Sequence, residues 1–153
     1  MKSFTLAITL LISLSSFGQI EEWTDISHVE DSLRHHPKMV FIFIYTDWCK
    51  VCEMEKNNLF SKDDLNEIKD NFYWVKINGE TQEDIKFRGV NYRFVPTGSD
   101  QGYHEFVSQL FQGNGAPSAY PGNVILDNRL QRLYFKNGLL DSQELIEVTK
   151  KIK

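Results

Sequence analysis

FIFIYTDWCKVCEMEKNNLF, residues 41–60, joins two kinds of structure at one short turn, and two cysteines stand at the junction. The run from Met39 to Tyr45, MVFIFIY, is continuously apolar or aromatic and of strand length, the pattern of a central strand covered on both faces in a parallel or mixed sheet. From Asp47 to Leu59 the composition turns to helix-forming Lys, Glu and Met. Cys49 therefore falls at a helix N-terminus, where unpaired backbone amides and the positive end of the helix dipole favour thiolate over thiol. Cys52 follows on the same face, about 5 to 5.5 Å away at Cα by helix geometry and inside the disulfide window. Cys49 is thus the expected attacking nucleophile, and Cys52 the thiol that resolves a mixed disulfide. Lys50 adds to the stabilisation of a thiolate while Asp47, Glu53 and Glu55 oppose it. Trp48 would shield the pair on one side and offer a substrate chain an apolar platform.

These are the only two cysteines in the chain. The loop they close is too short to stabilise a fold much, so the pair calls for a chemical explanation rather than a structural one. A zinc site would need four ligands, and there is no second cysteine pair. His35 and His36 are adjacent at a helix end and do not easily face one metal, so no metal is expected. His104, on an amphipathic segment, reads as a surface or packing residue rather than a proton donor.

Working outward, Ile26, Val29 and Leu33 share a helical face between a capping Asp25 and Pro37. Ser61 to Asp70 reads as a second helical piece opened by Ser61 and Asp64, and Phe72 to Ile77 as the next strand, parallel to the first. Ile85–Arg88 and Asn91–Val95, broken at Gly89, suggest a small hairpin, and Tyr103–Phe111 an amphipathic helix. Gly113, Gly115 and Pro117 mark a loop. Asn123–Leu126 and Gln131–Phe135 read as strands joined through Asp127-Asn128, before a last helix from Asp141 to Ile152 with Leu145, Ile146, Val148 and Thr149 inward. Phe41, Phe43, Phe72, Tyr73 and Trp74 are assigned to the core. The order predicts an α/β fold with a mixed central sheet flanked by helices.

At this level of detail the stretch from Phe41 to Phe60 resembles the active-site strand and helix of the thioredoxin superfamily. The branch it is most similar to contains the C-terminal periplasmic domain of DsbD-type thiol:disulfide interchange proteins and small exported thioredoxin-like proteins. The resemblance covers most of residues 22–152 and implies a thioredoxin fold. It also implies a cis-proline facing the disulfide: Tyr120-Pro121, directly before GNVILD, resembles that landmark, while Ala116-Pro117 lies about five residues too early. Tyr120 would then present its backbone to a substrate strand. Two departures stand out. The buried Asp that thioredoxins carry six residues before the first active-site cysteine is Phe43 here, so proton transfer must use another group or water. The stretch from about Glu80 to Ala119 is longer and more helical than in thioredoxin, an insertion before the cis-proline.

Residues 1–18 read as a signal peptide, with Lys2, an apolar run from Phe4 to Leu14, and small residues up to Gly18. That run is well short of the roughly 20 residues a membrane span needs. A thioredoxin-like domain over residues 19–153, soluble in the periplasm or otherwise exported, is the expected product. The formal net charge of −4 argues against nucleic acid as a partner. The expected function is dithiol-disulfide exchange without a cofactor. Its substrates would be disulfide-containing exported proteins, and the resemblance favours reduction fed by a DsbD-like membrane electron donor. Oxidase or isomerase chemistry, and a non-catalytic binding module, are the alternatives, because a fold does not settle function. Lys50-Val51 matches neither the Gly-Pro of thioredoxins nor the Pro-His of strongly oxidising relatives. Nothing demands an oligomer, so a monomer is expected.

Overall fold

The structure is a computed structural model and describes residues 22–60, 63–113 and 115–153. The expected signal peptide lies outside the described residues. Strand β1, Met39–Tyr45, has its five middle residues buried, as a strand covered on both faces must. It pairs in parallel with β2, Phe72–Asn78, and antiparallel with β7, Gly122–Leu126, which in turn pairs antiparallel with β8, Arg132–Asn137. The sheet order is β2-β1-β7-β8.

Because side chains alternate along a strand, β1 feeds two cores. Phe41 and Phe43 enter one layer with Cys49, Cys52, Leu59 and Leu145, beneath helices α2, Lys50–Leu59, and α4, Ser142–Ile152. Val40, Ile42 and Ile44 enter the other, against Val29 and Leu33 of helix α1, Ile26–His35, and Phe106 and Val107 of helix α3, Glu105–Leu110. Asp25 caps α1 by accepting from the Ser27 amide at 2.8 Å, and Asp141 caps α4 by accepting from the Glu144 amide at 2.9 Å. Leu145, Ile146 and Thr149 of α4 are buried as expected, while Val148 is half-buried.

Three local expectations change. Helix α2 starts at Lys50 rather than Asp47, since Cys49 is its extended N-cap. The piece expected over residues 61–70 is two single 3₁₀ turns, Asp63–Leu65 and Lys69–Asn71, with Ser61 outside the described residues.

The insertion is less helical than expected. It consists of two short hairpins, β3 Ile85–Phe87 with β4 Val90–Tyr92, and β5 Phe94–Pro96 with β6 Gly102–His104, followed by the six-residue α3. The first turns through Arg88 and Gly89, both at positive φ (51° and 76°), the geometry of a two-residue hairpin turn. The expected strand Asn91–Val95 is split at Arg93, where the chain leaves one hairpin for the next. Strands of three residues are too short for period-two alternation to declare itself.

Candidate active site

The β1–α2 turn places Cys49 where an N-cap residue belongs, and its Sγ accepts the Cys52 amide at 3.1 Å. The turn itself is closed by the Cys49 amide donating to the Thr46 carbonyl at 3.1 Å. Cys49 and Cys52 form a disulfide with Cα atoms 5.2 Å apart, within the window that the helix geometry predicts. Cys49 is 7% exposed and Cys52 only 2%, so an attacking partner meets Cys49 first. Beside them a cleft of about 250 Å³ opens to solvent, with Phe43 and Lys76 among its walls.

Around the disulfide three segments converge. Trp48 is 64% exposed, so it is a surface platform rather than a core residue. Its indole N–H donates to Glu80 Oε2 at 3.0 Å, and its ring meets the edge of Tyr120 at 6.1 Å between centroids. The turn carrying Glu80 is itself anchored. Asn78 Nδ2 donates to Asp47 Oδ2 at 2.9 Å, Asn78 Oδ1 accepts the Glu80 amide at 3.0 Å, and the Gly79 amide donates to the Tyr45 carbonyl at 2.7 Å. Position 79 requires glycine by close approach: a Cβ there would sit 2.6 Å from Tyr120 Cε1. Tyr120 precedes Pro121 across a cis peptide bond and is wedged between Trp48 and Phe111. Its partial burial, with the negative charge of Glu80 nearby, pushes its phenol up to about 12. Cys49, Cys52, Trp48, Tyr120 and Pro121 thus belong to one region, and Glu80 is its contribution from the insertion.

His104 does not join them. It is fully buried rather than on the surface, and its ring caps α3, with Nδ1 accepting the Phe106 amide at 3.2 Å and Nε2 lying 3.1 Å from the Glu83 carbonyl. With Nδ1 an acceptor, Nε2 carries the proton and donates to Glu83. Burial holds this imidazole below its usual range.

A buried acid, in sequence only one of three carboxylates opposing a thiolate at Cys49, lies on α2 three residues after Cys52. Glu55 is 0% exposed, on the inward face of α2 with Cys52 and Leu59. Its Oε2 accepts the Leu140 amide at 2.9 Å. Among the described residues, Oε1 has no hydrogen-bond partner, and neither has Oδ1 of the neighbouring Asn123, itself fully buried on β7. Asn123 Nδ2 donates to the Gly138 carbonyl at 3.1 Å. Burial pushes the Glu55 carboxyl up to about 7, against the opposing pull of the Leu140 amide, Asn123 and Lys136. The spacing Cys52, Glu55, Leu59 is the signal that could have revealed it, since three residues at i, i+3 and i+7 share one helix face.

No protein-family model matches the chain, and no curated protein matches it. Solved structures define the class: the chain has the thioredoxin fold. It is similar to a DsbH oxidoreductase, at 12% identity over 99% of this chain and 94% of that one, with a TM-score of 0.57. The C-terminal domain of DsbD from Neisseria meningitidis, oxidised, is similar at 16% identity over 82% and 90% of the two chains, TM-score 0.52. Chloroplastic thioredoxin z is similar at 14% identity over 88% and 96%, TM-score 0.52. At these identities the likeness is one of fold. Among the described residues no helix is long and apolar enough to cross a membrane.

Proposed function

We propose that this chain is an exported thiol:disulfide oxidoreductase that reduces disulfides in other exported proteins. The observation that carries the reading is the Cys49–Cys52 disulfide at the N-terminus of α2, with Cys49 the more accessible sulfur. In the reduced protein the Cys49 thiolate, favoured by the helix N-terminus, attacks one sulfur of a substrate disulfide; that bond breaks and the other substrate sulfur leaves. Cys52 then attacks Cys49 Sγ, its own proton departs, and the second substrate sulfur leaves as the Cys49–Cys52 disulfide closes. Trp48, beside Cys49 in the chain, and the Tyr120–Pro121 segment, whose tyrosine ring meets the Trp48 indole, would hold the substrate chain. The expected leader at residues 1–18 and the likeness in fold to the DsbD domain support an exported setting. There, re-reduction would come from a DsbD-like membrane donor of two electrons.

The test is the reduction potential of the couple, by equilibration against glutathione or dithiothreitol buffers. Known couples run from about −270 mV for reductants to about −120 mV for strong oxidants. A value near the low end is expected; one near the high end would assign an oxidase or isomerase instead. Cys52→Ala should trap a mixed disulfide with substrate and Cys49→Ala should not. A protein that exchanged with neither buffer would be a binding module with an inert disulfide.

A further inference from the structure

We propose that Glu55 is the proton-exchanging residue of the couple: it takes the proton of Cys52 as the disulfide closes and returns it as the disulfide opens. This rests on the exchange reaction proposed above. It answers a need that the departure at Phe43 creates. Cys52 is almost wholly buried, and one wall of its solvent cleft is the phenyl ring of Phe43, which can carry no proton.

Placement is the first argument. Position 55 is three residues after Cys52 on α2, so their Cβ atoms are neighbours at roughly 5–6 Å. Helical side chains lean towards the N-terminus, which returns the carboxyl over the turn that carries Cys52. The loop residue that Glu55 holds, Leu140, belongs to the same core layer as both cysteines.

Satisfaction of polar atoms is the second. As a carboxylate, Glu55 would leave Oε1 charged and without a hydrogen-bond partner in the interior, and a proton there removes that charge. The oxidised structure is therefore built around the neutral acid. The surroundings also temper that state: Lys136 on β8 favours the carboxylate, while Glu144 on α4 disfavours it. Glu144 is bound by Lys136 and accepts from the Tyr134 hydroxyl at 2.9 Å, which places Tyr134 of β8 in the same cluster.

The protons balance. In the reduced protein at and above neutral pH the proton sits on Cys52 and Glu55 is a carboxylate, favoured by the charge of Lys136. As Cys52 attacks Cys49 Sγ, the S–H bond breaks, the Glu55 O–H bond forms, the Cys49–Cys52 bond forms, and the bond from Cys49 to the substrate sulfur breaks, releasing a substrate thiolate. In re-reduction, an incoming donor thiolate attacks Cys49 and the departing Cys52 sulfur takes its proton from Glu55. One proton thus passes between the two groups: it is on Cys52 before the disulfide closes and on Glu55 afterwards.

Glu55→Gln tests this, because the amide preserves shape and the Leu140 contact. Release of a disulfide-linked peptide from the mixed disulfide is followed by rapid quench from about pH 5 to about pH 9. In the wild type the rate should step near neutral pH; in Glu55→Gln the step should vanish and the rate at pH 7 fall on the order of a hundredfold. Glu55→Asp should restore part of both. Formation of the mixed disulfide, measured with Cys52→Ala in both backgrounds, should be equal. Carbon NMR of the Glu55 carboxyl should find a midpoint near neutral pH in the oxidised protein and a different one in the reduced protein, where the Cys52 thiol is its neighbour; a residue with no part in the proton exchange would titrate alike in both. Equal release profiles for wild type and Glu55→Gln would overturn the role of Glu55 while leaving the exchange reaction intact. A wild type that never forms the mixed disulfide would overturn the exchange reaction and this role with it.

Discussion

Replacing Glu55 with Gln should stabilise the oxidised protein above neutral pH, and the size of the effect follows from its burial. The carboxyl is raised from its ordinary 4.5 to about 7 in the folded chain. In the unfolded chain Glu55 loses its proton as pH rises through about 4.5, but in the folded chain it keeps it until about 7. A raised pKa means that the associated stability is fully present below the unfolded value and is lost as pH rises through the folded one. At about 1.4 kcal/mol per unit, the wild type should lose on the order of 3 kcal/mol across that window. Gln does not titrate. It can accept the Leu140 amide with its oxygen, so that hydrogen bond is kept. The stability gap between variant and wild type should therefore open by about 3 kcal/mol between pH 4.5 and pH 8, roughly 10 °C in Tm for a domain of this size. Thermal or urea unfolding of both proteins, oxidised and at constant ionic strength, measures it; groups common to both cancel in the difference. Parallel stability curves over that pH range, or a Gln variant less stable at pH 8, would refute the account of Glu55 as a buried neutral acid.

The other expectations concern the frame around the disulfide. Gly79→Ala should cost about 1–3 kcal/mol, because the added methyl displaces the Tyr120 ring from its contacts with Trp48 and Phe111; an unchanged Tm would show that the ring has room to yield. Glu80→Ala removes the acceptor of an exposed indole, so it should shift Trp48 emission while changing stability by no more than about 1 kcal/mol, read by fluorescence and urea titration. Arg88→Asn should stabilise by about 1 kcal/mol, since Arg88 occupies the left-handed region in a turn that favours Asn-Gly. The hydrogen bond to Glu30 at 2.7 Å comes from the backbone amide of residue 88 and is kept, so a destabilised variant would show that the Arg side chain itself matters.

What the chain's own order of residues determined is what depends on neighbours along it. Met39–Tyr45 is a strand because nothing polar interrupts it, α1 and α4 begin at Asp25 and Asp141 because those carboxylates meet amides two or three residues on, and Cys49 meets Cys52 because a helix turn brings i and i+3 together. The prospective position of Tyr120–Pro121 came from family resemblance. What only the tertiary structure decided lies in partners distant along the chain. Glu55 reads locally as one more charge on a solvated helix, and it becomes a buried acid because β7 and a loop 85 residues later close over that face. Trp48 is held by Glu80, 32 residues away, from a turn whose own anchors are on β1 and the active-site loop. The same holds for His104, which the sequence left between surface and core and whose buried ring meets the Glu83 carbonyl, 21 residues earlier. Helix and strand patterns record which face is apolar, but a polar side chain's ionisation depends on what packs against it, and that is a property of the assembled layers.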